Sequence, residues 1–475
     1  MSGFPNYDDY DALGLAELVR KKEVTPQELL DEAIARTEKL DGKLNAVVIH
    51  DYDLARKQIA DGLPDGPFTG VPFLLKDLHL LRKGTLTTFG SSLFKDNLAD
   101  HDSTLTERYL AAGLVIFGKT SSPEFGSAPT TEPRLFGPSH NPWNLAHSPG
   151  GSSGGAAAAV AAGILPVANA SDGGGSIRVP ASACGIFGIK PTRARTPMGP
   201  DRGEGWGGMS ISHVVSRSVR DSAAMLDATA GIAPGDPYTC LPPERPFLTE
   251  VTAKPARLKI AFTTRRIDGS LCHPDVVAAI TETAKLLSGL GHHVEEKTPQ
   301  IDQAAMGQHQ ATLIGANIEM TLRHVAAARG RAIESGEVEH ITWLIAQGAK
   351  LRDSAAYVEA TLFIHQLGRK MAAFHEEYDL FLCPTLGLPP VKLGEIDMMT
   401  SDVGNYLRLM GLYLPYAGYA NMTGQPSMSV PLYWNSDKLP IGSMFTARYG
   451  DEATLFRLAG ELEQARPWAD KRPAL

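Results

Sequence analysis

Cysteine is scarce in this 475-residue chain: Cys184, Cys240, Cys272 and Cys383 are all there is. They form no CxxC pair and no zinc-ribbon spacing, so a disulfide framework is not expected and reduced thiols in a cytoplasmic setting are. No HExxH and no clustered His, Cys and carboxylate spacing occurs, so no metal is expected either. Long Lys/Arg runs are missing and the net charge is −8, which argues against a nucleic-acid-binding surface. The longest apolar stretch, AAAAVAAGILPVANA (156–170), contains Gly and Pro and is too short to span a bilayer, so no membrane role is expected. The opening MSGFPNYDDYD is acidic and lacks the basic-then-apolar pattern of a signal peptide. Internal repeats and low-complexity tails are absent.

What is present is an ordinary globular composition, 43% hydrophobic and 21% charged, enough to build a large core. TPQELLDEAIARTEKL predicts a helix with a strong start: Thr25 caps, Pro26 fits the first position and Glu28 completes a capping box. Leu29, Leu30, Ala33, Ile34 and Thr37 then share one face. Asp11–Lys22 and Thr104–Ala112 read as further helices. The short apolar runs 46–50, 70–75 and 113–118 read as buried strands, as do 257–264 and 378–385. Pro274–Gly289 reads as a helix, and long helices fill Asp302–His375. Thr120–Gly208 is rich in Gly, Ser and Pro and reads as a long ordered loop region carrying function. This βα alternation over the whole length predicts one large α/β domain with helices on both sheet faces.

Three patterns compete for the chemistry. Gly113–Thr120 matches the P-loop formula, but its variable positions are Leu, Val, Ile and Phe, which make a buried strand rather than a phosphate cradle. Gly151–Gly155 matches the esterase elbow G-x-S-x-G with Ser153 as nucleophile. That elbow must follow a strand, and here NPWNLAHSPG, a loop by its prolines and asparagines, precedes it. The third reading joins Lys76, Ser152 and Ser153, and Ser176 at the end of SDGGGSIRVP (171–180). A helix N-terminus after the Gly-Ser loop and a nest of glycine N–H groups both favour an anion. They would lower the pKa of a nearby lysine, giving a neutral amine that can act as a base without histidine. Each part alone has an ordinary explanation: a surface lysine, a helix cap and a turn.

Taken together, these segments resemble the amidase signature family. The resemblance rests on GSSGG, on GGSIRVPA, and on a Ser152-to-Ser176 distance of 24 residues (176 − 152). GVPFLLKDL, FGKTSSPEF, NPWN, CGIFGIKPT, SVRD, PTLGLPP, NMTGQP and LPIG extend it from about Tyr10 to Pro473. It implies a single α/β/α domain over 1–475 with a mixed central sheet, N-terminal helices at about 8–40 packing on the core, and no cofactor. It also implies a Ser–cis-Ser–Lys triad: Ser176 as nucleophile, Ser152 as bridge after a cis bond from Gly151, and Lys76 as base. The N–H groups of Gly173, Gly174, Gly175 and Ser176 are expected to receive the oxyanion. Ser153, Asp172 and Arg178 are expected to support the site, and Gly126, Ser127 and Thr130 to meet substrate.

Within the family the N-terminal half is similar to bacterial 6-aminohexanoate-cyclic-dimer hydrolases. That implies small or apolar carboxylic amides as substrates, with carbamates, aryl amides and esters open to the same acyl-enzyme chemistry. The chain departs from the family in two places. Gly173 stands where many members have Thr, which predicts a wider or more mobile pocket. Met444 replaces a common Gln. Val179 stands where the glutaminase subunits of amidotransferases carry Gln, which argues against that role and its obligate partner. Oligomeric state is unreadable, with a homodimer left open. The apolar residues of 303–420, among them Leu313, Ile314, Ile318, Met320, Met410 and Leu414, read mostly as core.

Overall fold

Thr25 starts the first long helix of the computed structural model, which describes residues 4 and 6–475. Residues 1–3 and 5, which belong to the acidic opening and to the expected 1–475 span, lie outside the described residues. The capping box forms as its residues dictate: Glu28 N–H donates to Thr25 Oγ1 at 3.2 Å, and Thr25 N–H donates to Glu28 Oε2 at 2.8 Å. The helix runs Pro26–Leu44, buries Leu29, Leu30, Ala33, Ile34 and Thr37, and stops at Asn45 in the left-handed region. Before it, Asp11 caps a helix over Ala12–Arg20 by accepting from Gly14 N–H at 3.0 Å.

Strands β1 (Val47–His50), β2 (Pro72–Lys76) and β3 (Val115–Thr120) form a three-stranded sheet in the order β1-β3-β2. Eight more strands follow: β4 (Val167–Asp172), β5 (Phe187–Lys190), β6 (Ile211–Ser216), β7 (Lys259–Phe262), β8 (His293–Glu296), β9 (Leu380–Pro384), β10 (Ser427–Trp434) and β11 (Pro440–Thr446). They make one sheet ordered β4-β6-β5-β10-β11-β9-β7-β8. β7 is parallel to β8 and β9, and the other pairings are antiparallel, so the sheet is mixed. Helices flank it. Along β9, Leu380 and Leu382 join one apolar cluster while Phe381 and Cys383 join another, the alternation expected of a strand covered on both sides. β2 of the small sheet meets β4 of the large one through a side chain: Lys76 N–H donates to Asn169 Oδ1 at 3.1 Å.

The P-loop look-alike is indeed strand. Val115–Thr120 is buried throughout, and Lys119 Nζ donates to the Leu80 carbonyl at 3.3 Å and to Thr87 Oγ1. The region 120–208 is less loop-like than its composition suggests. It holds the helix Gly154–Ala161 before β4 and the helix Arg178–Cys184 between β4 and β5. Every residue of both helices is buried; the first is the helix expected after the Gly-Ser loop, while the second, Arg178–Cys184, has no polar face to betray it in the sequence. Farther on, the helical stretch resolves into Gln303–Arg329, His340–Ala349 and Ser354–Glu377. No described helix is long and apolar enough to cross a membrane.

Candidate active site

Lys76 ends β2 and is completely buried; its Nζ donates to Ser152 Oγ at 2.7 Å and to Ser171 Oγ at 3.2 Å. Ser152 follows a cis peptide bond from Gly151 and is 2% exposed. Burial lowers the Lys76 amine from 10.5 to about 7, against the upward pull of the Asp172 carboxylate. Desolvation by the apolar run before Lys76 is thus the main cause, and not the positive field of the neighbouring loops that was also expected. Ser153 precedes the helix Gly154–Ala161, but its hydroxyl serves the backbone. It donates to the Ser171 carbonyl at 3.2 Å and accepts from Ser171 N–H at 3.3 Å.

Ser176 stands at the turn between β4 and the helix Arg178–Cys184. One buried ion pair shapes that turn. Arg178 Nε and Nη2 donate to Asp172 Oδ2 and Oδ1 at 3.0 and 2.9 Å. The same carboxylate accepts from Gly175 N–H at 2.6 Å and Ile177 N–H at 3.1 Å. Burial pushes the Asp172 carboxyl up, but Arg178, Lys190 and the Asn421 amide outweigh it and hold the group well below the usual carboxylate range. Asn421 Nδ2 donates to the Asp172 carbonyl at 3.0 Å and to Oδ1 at 2.9 Å, and Arg178 Nη2 donates to Asn421 Oδ1 at 2.7 Å. Met444 Sδ lies 3.4 Å from Arg178 Nη1, so a weak sulfur acceptor faces the guanidinium.

This network alters the expected set of oxyanion donors. Gly175 takes φ 125°, a glycine conformation, and aims its N–H at Asp172. That N–H is therefore committed, whereas those of Gly173, Gly174 and Ser176 have no protein acceptor among the described residues.

Ser176 opens on a cavity of about 80 Å³ lined by Gly126, Ser127, Gly174, Val179, Trp206 and Gln310, among others. Of the three expected substrate contacts, Gly126 and Ser127 line this cavity. Thr130 does not: its hydroxyl donates to the Ile396 carbonyl at 3.2 Å and does not reach the cavity. The Gly173 expectation also needs correcting. A Cβ at Gly173 would lie 2.8 Å from Trp206 Cε3, so the indole fills the space that the missing side chain leaves. Sequence reading had no hold on Trp206, nor on Gln310. The Gln310 amide nitrogen lies 3.2 Å from where a Cβ on Gly174 would be. Asn169, Ser171 and Asn421 were also missed as partners of the expected residues, although Asn421 lies inside the quoted NMTGQP. Among the described residues no three His, Cys, Asp or Glu side chains group as metal ligands.

The chemistry available is that of a serine hydroxyl on a cavity, backbone donors around it, and a buried amine that sheds its proton near pH 7 rather than near 10.5. Known proteins share the scaffold. The Amidase family description matches residues 28–456. The 6-aminohexanoate-cyclic-dimer hydrolase of Paenarthrobacter ureafaciens is 34% identical over 98% of this chain and 96% of its own. The solved structure of 6-aminohexanoate cyclic dimer hydrolase complexed with substrate superposes with TM-score 0.92 at 34% identity, covering 98% of each chain. A bacterial aryl acylamidase of the amidase signature enzymes superposes with TM-score 0.88 at 27% identity, covering 98% of this chain and 99% of that one. On this match the chain belongs to the amidase signature family, the hydrolases of amide C–N bonds.

Proposed function

We propose that this amidase hydrolyses small or apolar carboxylic amides through an acyl-enzyme on Ser176, with the whole chain acting as one catalytic unit. The observation that carries the reading is the fully buried Lys76 amine, 2.7 Å from Ser152 Oγ and lowered to about 7. In this reading neutral Lys76 takes a proton from Ser152 as Ser152 takes one from Ser176. Ser176 Oγ attacks the amide carbonyl, and the N–H groups of Gly173, Gly174 and Ser176 receive the developing oxyanion. Losing one such donor costs about 2.7–4 kcal/mol of transition-state stabilisation. The proton held at Lys76 returns through Ser152 to the leaving amine. Water then repeats the relay against the acyl ester and frees the acid. Ester and carbamate carbonyls are open to the same attack, so aryl esters and urethanes fall within its scope. The apolar Val179 and Trp206 on the cavity favour uncharged groups beside the scissile bond. All four cysteines are free and buried, which fits a reducing cytoplasm.

A serine-directed phosphonyl fluoride tests the assignment. The adduct is expected on Ser176 by peptide mapping, lost in Ser176→Ala and kept in Ser153→Ala. Turnover is expected on a panel of amides scored by amine release. An adduct on Ser153, or none together with no turnover, would overturn the reading.

A further inference from the structure

Beside the small cavity at Ser176 lies a larger one of about 330 Å³, walled by His79, Phe89, Phe94, Phe125, Arg202 and Trp206, among others. The two are neighbours: Trp206 lines both, and Phe125 on the large cavity is followed by Gly126 on the small one. Its wall is a chain of aromatic rings. His79 meets Phe89 at 5.5 Å, Phe89 meets Phe94 at 4.9 Å, and Phe94 meets Phe125 at 6.0 Å between ring centroids.

Two polar groups in this wall have no protein partner. His79 Nδ1 is buried without a hydrogen bond. Burial first, then the nearby Arg202 and Lys76 charges, lower His79 to about 3, so its ring is neutral at any ordinary pH and offers one donor and one acceptor. Arg202 is half-buried and makes no ion pair or hydrogen bond among the described residues. The one carboxylate beside it in sequence, Asp201, is held 3.0 Å from His101 Nε2 instead. A half-buried guanidinium with no ion pair, only the more distant Asp201 charge acting on it, is the group best shaped to take a carboxylate in two parallel hydrogen bonds. An unpaired cation, a buried imidazole and a ring of aromatic faces thus converge on one space that adjoins the reacting hydroxyl.

We propose that this cavity holds the far part of the substrate, an aryl or arylalkyl group ending in a carboxylate that pairs with Arg202. The proposal rests on the amidase reading above and narrows its substrate class to amides with an anionic end.

Binding to the full-length protein tests it without any turnover, with 4-phenylbutyrate and 4-phenylbutan-1-ol as probes and tryptophan fluorescence or calorimetry as the readout. The carboxylate is expected to bind at least about tenfold tighter than the alcohol, as a charge-assisted pair requires. Arg202→Gln is expected to erase that margin and leave the alcohol within about threefold of wild type, and Trp206→Ala to weaken both. Equal binding of the two probes, binding of neither, or a margin that survives in Arg202→Gln overturns the proposal. The wild-type comparison decides even where Arg202→Gln fails to fold. Running it also in Ser176→Ala separates the two readings: a failure to label Ser176 leaves the binding result standing, and a binding failure leaves the labelling standing.

Discussion

Replacing Lys76 by Met should make the stability of the protein respond to pH in a way that singles out one amine. The unfolded Lys76 amine sits at 10.5 and the folded one at about 7. Between these values the unfolded chain carries a proton that the folded one has shed, so this group makes folding more favourable as pH rises through the window. The gap corresponds to about 5 kcal/mol at about 1.36 kcal/mol per pH unit, present in full as a destabilisation below pH 7. From pH 7 to 9 about 2 kcal/mol of it should be relieved, because the folded amine starts half-protonated and ends neutral while the unfolded one stays charged. The Met variant lacks the group. Its hydrogen bonds to Ser152 and Ser171 are lost too, but that loss is independent of pH to first order. Buried Lys119 and Lys190, lowered to about 8 and about 7 mainly by burial, titrate in the same range but are common to both proteins and cancel. Urea unfolding of wild type and Lys76→Met at pH 7, 8 and 9 measures the difference. The stability of the variant relative to wild type should fall by about 2 kcal/mol across that range. A flat difference would refute a depressed Lys76 pKa and, with it, the base.

Activity should follow the same amine: on the proposed mechanism kcat/KM should fall below about pH 7 as Lys76 gains a proton, and a pH profile flat down to 5 would contradict this. Asp172→Asn should lose about 3 kcal/mol or more, since it leaves the fully buried Arg178 without its counter-charge; denaturant midpoints measure this, and a loss under 1 kcal/mol would mean the pair does not hold the turn. Gly173→Thr should push the Trp206 indole off the glycine turn, seen as a shift in tryptophan emission and a raised KM for small amides, with the acidic limb of the profile unmoved.

Much of the scaffold was legible because its signals are local. Thr25, Pro26 and Glu28 announce their helix, and the apolar runs before Lys76 and after Gly113 announce β2 and β3. The strands β6, β10 and β11 went unread, and the helix at Arg178–Cys184, buried on every side, has no polar face to give it a period. At the site, Lys76, Ser152 and Ser176 stood out through their glycine and serine surroundings. Trp206, Gln310 and Asn421 did not, because their value comes from what the fold brings near them. A tryptophan in a GEGWGG loop and a glutamine on a long helix carry no mark of the turn they press against. The commitment of Gly175 N–H to Asp172 was equally invisible, since all three glycines of the run look alike in the sequence.

The bond from Asn421 back to Asp172 spans 249 residues, and this has a consequence for the protein while it is being made. Lys76, Ser152 and Ser176 all leave the ribosome long before the amide that clasps the glycine turn exists. At about 5–20 residues per second, the nascent chain passes roughly 12 to 50 s with the three proposed reacting side chains present and the turn that presents Ser176 unclasped. On the proposed mechanism, hydrolytic competence should therefore come only after Asn421 is made, and a chain truncated before it should be inert, which an activity assay of such a truncated product checks.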